Sequence, residues 1–135
     1  MILFSGCNNK YSDRMYELIA KQHSNDSCTV TFGSITKEPW DNIYIVSEMV
    51  DPLRISNEIG FEYKGKTIPD GERRIIIIKD NKILVEEPFY DSRFSFKGDS
   101  LKRRGFVKIS YNDTFCSTFN TSIYSHFYFL MKKGN

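Results

Sequence analysis

Two apolar runs separated by a tight turn place the strongest constraint on how this chain folds. Residues 75–78 are four consecutive isoleucines, and residues 83–85 form a second apolar run. Asp80 and Asn81 lie between the runs, and both residue types tolerate the positive φ angles of a two-residue hairpin turn. The pattern therefore predicts an antiparallel β-hairpin.

Other segments predict further strands. Residues 43–46 form a continuous apolar run, which indicates a strand in the centre of a sheet. Before it, Cys28, Val30 and Phe32 alternate with threonines, and this alternation also predicts a strand. Three later strands are predicted around Phe94 and Phe96, over residues 106–111 and over residues 123–131.

Two helices are predicted, over residues 12–22 and 52–59. The first is indicated by the apolar positions Met15, Leu18 and Ile19, with Ser12 as its N-cap. The second begins at Asp51-Pro52 and ends at Gly60. One N-terminal helix, a second short helix and many closely linked strands predict an α+β domain with an antiparallel sheet of about five to six strands.

The composition fits one soluble domain, predicted over residues 13–135. A net charge of +2 implies no strong field that would attract nucleic acid or an acidic membrane. No run approaches the roughly 20 apolar residues that a membrane helix requires. Eleven Phe and eight Tyr favour a β-rich domain with surface available for binding.

The first residues, Phe4-Ser5-Gly6-Cys7, are typical of the end of a bacterial lipoprotein signal. Small residues precede the cysteine whose thiol takes the lipid, and a polar stretch follows. A basic segment and most of the apolar segment that such a signal needs are missing, so residues 1–12 are interpreted as a truncated signal and tether. The alternative is a short tail with one ordinary cysteine. If Cys7 is lipidated, the domain lies in the cell envelope, on the outer side of the cytoplasmic membrane.

The other two cysteines, Cys28 and Cys116, have no C-x-x-C spacing and no histidine at metal spacing, so no metal site is predicted. In an oxidising compartment they are free to form a disulfide. The sequence leaves open whether they do so or remain two small buried thiols.

The segment from Thr36 through Trp40-Asp41 to Ile43-Tyr44-Ile45 resembles a pattern found in a group of small bacterial lipoproteins with no assigned activity. The similarity runs in order from Cys28 to Phe96. It includes a short helix before Gly60, an Asp-Gly turn at residues 70–71 and the hairpin around Asp80. The usual Pro-Tyr-Thr of that group is replaced here by residues 47–49, and the aromatic C-terminal third has no counterpart. The resemblance implies a location in the envelope and a fold, and it implies no activity.

No catalytic centre or cofactor is expected. His126 could in principle pair with Cys116, but an ordinary histidine on a strand face is the simpler interpretation. The adjacent carboxylates Glu86 and Glu87 point to opposite faces of a strand and cannot converge on one substrate. The basic run at residues 102–104 lacks the interleaved aromatic residues of a nucleic-acid binder.

The candidate partner-binding residues are Trp40, Asp41, Tyr124 and Tyr128. Trp40 could anchor a partner, or it could close one end of the core while Asp41 bonds to a loop backbone. Tyr124 and Tyr128 share one face of the last predicted strand, with a helix over that face as the alternative. The expected function is a lipid-anchored envelope protein with a binding or structural role. The alternatives are an immunity or inhibitor protein that binds a toxin or hydrolase, and a hydrolase itself.

Overall fold

The structure is a computed structural model that describes residues 10–97, 102–103, 105–122 and 126–134. Two α-helices, a short 3₁₀ helix and eight strands are found in these residues. The helices are α1 (Lys10–Asn25) and α2 (Pro52–Ile59), and the 3₁₀ helix covers Gly33–Ile35. The strands are β1 (Asn42–Val46), β2 (Arg74–Lys79), β3 (Lys82–Pro88), β4 (Phe94–Lys97), β5 (Lys102–Arg103), β6 (Phe106–Ser110), β7 (Phe115–Thr121) and β8 (His126–Lys132).

The strands form a five-stranded sheet in the order β3-β2-β1-β6-β5 and a three-stranded sheet in the order β4-β8-β7. All pairs of the larger sheet are antiparallel, and β1 lies at its centre. The prediction of an α+β fold with an N-terminal helix and a second short helix is confirmed. In the smaller sheet β4 runs parallel to β8, and residues 98–125 supply the long connection that a parallel pair requires.

The β2–β3 hairpin turns at Asp80 and Asn81, as predicted. Their φ angles are 51° and 58°, the left-handed values that a primed hairpin turn needs at both central positions. The α2 helix also follows its local signals. The side chain of Asp51 accepts a hydrogen bond from the Arg54 amide at 2.9 Å, and Gly60 ends the helix with a φ of 90°.

Two apolar cores lie on opposite faces of the larger sheet. The first lies between this sheet, α1 and the smaller sheet, and includes Ile43, Ile75 and Leu130. The second lies beneath α2 and the loop that follows it, and includes Tyr44 and Ile76. Because both faces of β1 and β2 are covered, both strands have continuous apolar sequences.

The segment at residues 28–32 differs from its predicted strand. It makes one isolated backbone bridge, from Val30 to Phe115, and leads into the 3₁₀ helix. The Gln22 side chain takes the place of a neighbouring strand, because its amide donates to the Thr31 carbonyl at 2.8 Å and accepts from the Thr31 amide at 3.0 Å. Helix α1 also extends beyond its predicted bounds, so Ser12 lies inside it, buried, and is not its N-cap.

Candidate functional site

An open groove of about 840 Å³ lies between α1 and residues 31–37. Its charged lining consists of Arg14, Lys21 and Lys37 together with one carboxylate, Glu17. The remaining lining residues are Leu18, Thr31, Gly33, Ser34, Ile35, Thr36 and Tyr111. The groove therefore combines a positive charge with hydroxyl groups, which suits an anionic or polar ligand.

Hydrogen bonds fix both walls of this groove. The Arg14 guanidinium donates to the Ile35 carbonyl at 3.1 Å, and the Gln22 amide holds Thr31 against the same helix. Tyr111 closes one end and packs edge-on against Trp40, with ring centroids 5.1 Å apart. The helix and the irregular segment are thus held at a set separation without a strand between them.

A smaller cavity of about 280 Å³ lies next to the groove and shares Arg14, Thr36 and Lys37 with it. Tyr11 lines this cavity, and its ring lies within 4.8 Å of the Arg14 guanidinium carbon and 5.7 Å of Lys10 Nζ. Leu84 of β3 also lines this cavity and is 37% exposed. Cations, an aromatic ring and an exposed leucine therefore lie together at the N-terminal end of α1.

The structure places Trp40 in the first core, where its side chain is only 2% exposed. Its indole nitrogen donates to the Gly33 carbonyl at 3.2 Å. Asp41 is exposed, and its carboxylate accepts a hydrogen bond from the Asp80 amide at 2.9 Å. This corrects the expectation that the Trp40 ring meets a partner: it closes the core, while Asp41 holds the hairpin turn.

Tyr128 also lies mostly inside the molecule. Helix α1 covers its face of β8, with Tyr16 at 6.1 Å and His23 at 5.1 Å between ring centroids, so Tyr128 is 9% exposed. Tyr124 lies outside the described residues. The strand alternates as expected, but the opposite face carries the accessible apolar groups, among which Met131 is 57% exposed.

Cys28 and Cys116 are joined by a disulfide. Their Cα atoms lie 3.8 Å apart, and the bond connects the turn after α1 to β7. Cys116 is therefore unable to act as the thiol of a Cys–His couple, and His126 pairs in register with Thr121 at the far end of β7. Cys7 lies outside the described residues.

A serine–histidine contact is present that the sequence did not indicate. His23 Nδ1 lies 2.7 Å from the Ser117 hydroxyl, and that hydroxyl lies 3.2 Å from the Ser27 carbonyl. The Ser27 carbonyl also accepts a hydrogen bond from the Ser117 amide at 2.6 Å, so the Ser117 hydroxyl lies between two groups that can accept its proton, the His23 ring and this carbonyl. Ser117 is only 5% exposed, so the contact lies inside the molecule. No local motif marks the pair, because its members are 94 residues apart.

A second polar cluster lies beneath the loop after α2. Buried Tyr63 donates a short hydrogen bond to Glu86, and Arg74 bonds to Glu72 at 2.8 Å and lies 3.7 Å from Glu86. Burial and the bond to Glu86 raise the pKa of the Tyr63 hydroxyl well above its ordinary value of 10.0. The hydroxyl is a fixed donor that pins the loop to β3.

In the described residues no group of three or more His, Cys, Asp or Glu side chains is arranged to hold a metal ion. Within the same ranges, no helix has the length and apolar character needed to cross a membrane. Comparisons with protein-family models, with curated proteins and with solved structures find no match to this chain.

Proposed function

We propose that this chain is a lipid-anchored protein of the bacterial cell envelope that acts by binding a partner. The disulfide between Cys28 and Cys116 is the observation that carries the proposal. Such bonds persist in oxidising compartments and are rare in the cytosol. The Ser5-Gly6-Cys7 sequence, read as the end of a lipoprotein signal, supports the same location.

The proposed role is binding because the groove offers recognition chemistry. Arg14, Lys21 and Lys37 line it, and in the described residues Lys21 and Lys37 make no ion pair. They are available to an incoming anion, while Thr31 and Ser34 add hydroxyl groups. Ser117, the serine that contacts His23, is only 5% exposed, so a substrate has little access to its hydroxyl, which argues against a role as a nucleophile.

Metabolic labelling with a fatty-acid analogue tests the anchor. The protein expressed from its native gene is expected to carry the label, and a Cys7→Ser variant is expected to lose it. A Cys28→Ser/Cys116→Ser variant is the matched control, because it removes two cysteines and keeps Cys7. Label that persists in Cys7→Ser would contradict the proposal.

Active-site labelling tests the binding role. A fluorophosphonate probe, which modifies activated serines, is expected to leave the native protein unlabelled. Labelling that disappears in a Ser117→Ala variant but not in a Ser34→Ala variant would show an activated serine and would replace the binding role with a hydrolase.

A further inference from the structure

The distance along the chain from Cys7 to α1 is short. Two residues, Asn8 and Asn9, lie between Cys7 and Lys10, which already lies in the helix, so the two Cα atoms are three steps apart along the chain. A fully extended chain advances at most about 3.3–3.6 Å per residue, so the Cα atoms of these two residues are no more than about 11 Å apart. If Cys7 carries a lipid, as the proposed function holds, this end of α1 lies beside the membrane surface.

The surface at this end of α1 has the composition of a membrane contact. We call it the α1-end surface and define it by Lys10, Tyr11, Arg14, Lys37 and Leu84. Lys10 and Lys37 are exposed, and Arg14 lines both neighbouring cavities. Tyr11 and Leu84 add an aromatic ring and an exposed apolar side chain, both of which favour the boundary between headgroups and acyl chains.

Two carboxylates near this surface already have partners within the protein. Asp13 pairs with Arg93 at 2.6 Å, and Glu87 accepts a hydrogen bond from the Tyr11 amide at 2.8 Å. Burial raises the pKa of the Glu87 carboxyl, with the Tyr11 amide acting in the opposite direction. Glu38 is exposed and lines the smaller cavity together with two cations, Arg14 and Lys37.

We propose that the α1-end surface rests on anionic lipid headgroups and thereby sets the orientation of the anchored domain. Each Lys or Arg held near an anionic leaflet raises the affinity for that leaflet by about fivefold. Lys10 and Lys37 therefore give a free domain little affinity for a membrane. Once an anchor holds the domain at the bilayer, the same two charges bias its orientation substantially. The small net charge of the chain does not oppose this, because the attraction depends on the local surface.

The test uses an artificial anchor, so that it does not depend on natural acylation. Hexahistidine replaces residues 1–6, Cys7 becomes Ser, and the protein is held on vesicles that contain a nickel-chelating lipid. The vesicles are either phosphatidylcholine alone or phosphatidylcholine with about one third phosphatidylglycerol. Because Cys28 and Cys116 are joined, a cysteine introduced in place of Leu84 is the free thiol in the described domain.

The measurement is the rate at which a neutral polyethylene-glycol maleimide modifies the introduced cysteine. Leu84→Cys is expected to react about fivefold more slowly on phosphatidylglycerol vesicles than on phosphatidylcholine vesicles. Leu53→Cys is the matched control, because Leu53 is 70% exposed on α2, across the larger sheet. Its rate is expected to be the same on both.

Charge variants complete the experiment. Lys10→Gln/Lys37→Gln in the Leu84→Cys protein is expected to restore the faster rate, whereas Lys64→Gln/Lys66→Gln on the α2 side is not.

Equal rates on both vesicles, or protection that survives loss of Lys10 and Lys37, would overturn the proposal. So would protection of Leu84→Cys by a hexaglutamate peptide in solution without protection by vesicles, because the surface would then bind an acidic chain. Absence of fatty-acid label on Cys7 would count against the proposed function alone.

Discussion

Cys28 and Cys116 are joined beside a pair of backbone hydrogen bonds between Val30 and Phe115, 3.1 and 2.8 Å long. The disulfide closes a loop with a sequence separation of 88 residues. It therefore removes much of the freedom of the unfolded chain as well as tying α1 to β7. The Cys28→Ser/Cys116→Ser variant is expected to lose about 4 kcal/mol of the free energy of unfolding, measured by urea denaturation.

Reductant supplies the control for this variant. Adding reductant to the native protein should lower its urea midpoint by as much as the double serine substitution does. Reductant should not change the midpoint of the double serine variant itself. A loss below about 1 kcal/mol in both experiments would show that the bond adds little to stability.

Trp40 is expected to act through the core. Trp40→Ala removes a large buried side chain and should lower the free energy of unfolding by about 3–5 kcal/mol. Trp40→Phe keeps an aromatic ring but loses the bond to the Gly33 carbonyl, so a smaller loss is expected. Tyr90→Ala, at a site 50% exposed, should stay within about 0.5 kcal/mol of the native protein. A fully stable Trp40→Ala protein would contradict the buried position.

Gly65 is expected to be sensitive to substitution because the Tyr63 ring lies against it. A Cβ atom added at Gly65 would lie 2.7 Å from Tyr63 Cε2. Gly65→Ala should therefore displace Tyr63 from Glu86 and cost about 1–3 kcal/mol in urea denaturation. In a Tyr63→Ala background the same change should cost much less, because the ring is gone. Equal losses in both backgrounds would show that the ring is not the obstacle.

Glu87 is expected to make stability depend on pH. Its pKa is raised in the folded protein, chiefly by burial, from an ordinary value of 4.5. The folded state therefore holds the proton longer than the unfolded state, and stability falls as pH rises from about 4.5 through the folded pKa. Glu87→Gln should flatten this part of the profile in thermal unfolding at several pH values. Glu62→Gln, at an exposed site, is the control and should leave it unchanged.

Local elements followed directly from neighbouring residues. The Asp80-Asn81 turn depends on two residue types that adopt positive φ, and α2 depends on Asp51, Pro52 and Gly60. The central position of β1 followed from its unbroken apolar run, because a strand covered on both faces needs no polar side. These signals involve only a few neighbouring residues, so the elements could be predicted from the sequence alone.

The site residues could not be assigned in this way. The sequence around Trp40 is compatible with both an exposed and a buried tryptophan. Its burial depends on Tyr111 and Gly33, which other elements place beside it. Whether Tyr128 faced solvent depended on where α1 packed.

Residue order set the Asp80-Asn81 turn, the caps of α2 and the alternation of faces along β8, because each depends on backbone preferences within a few positions. Tertiary structure decided the division into two sheets, the groove beside α1 and the His23–Ser117 contact. The Cys28–Cys116 bond was decided in the same way. These features join residues far apart in the chain, and only the packing of whole elements brings them together.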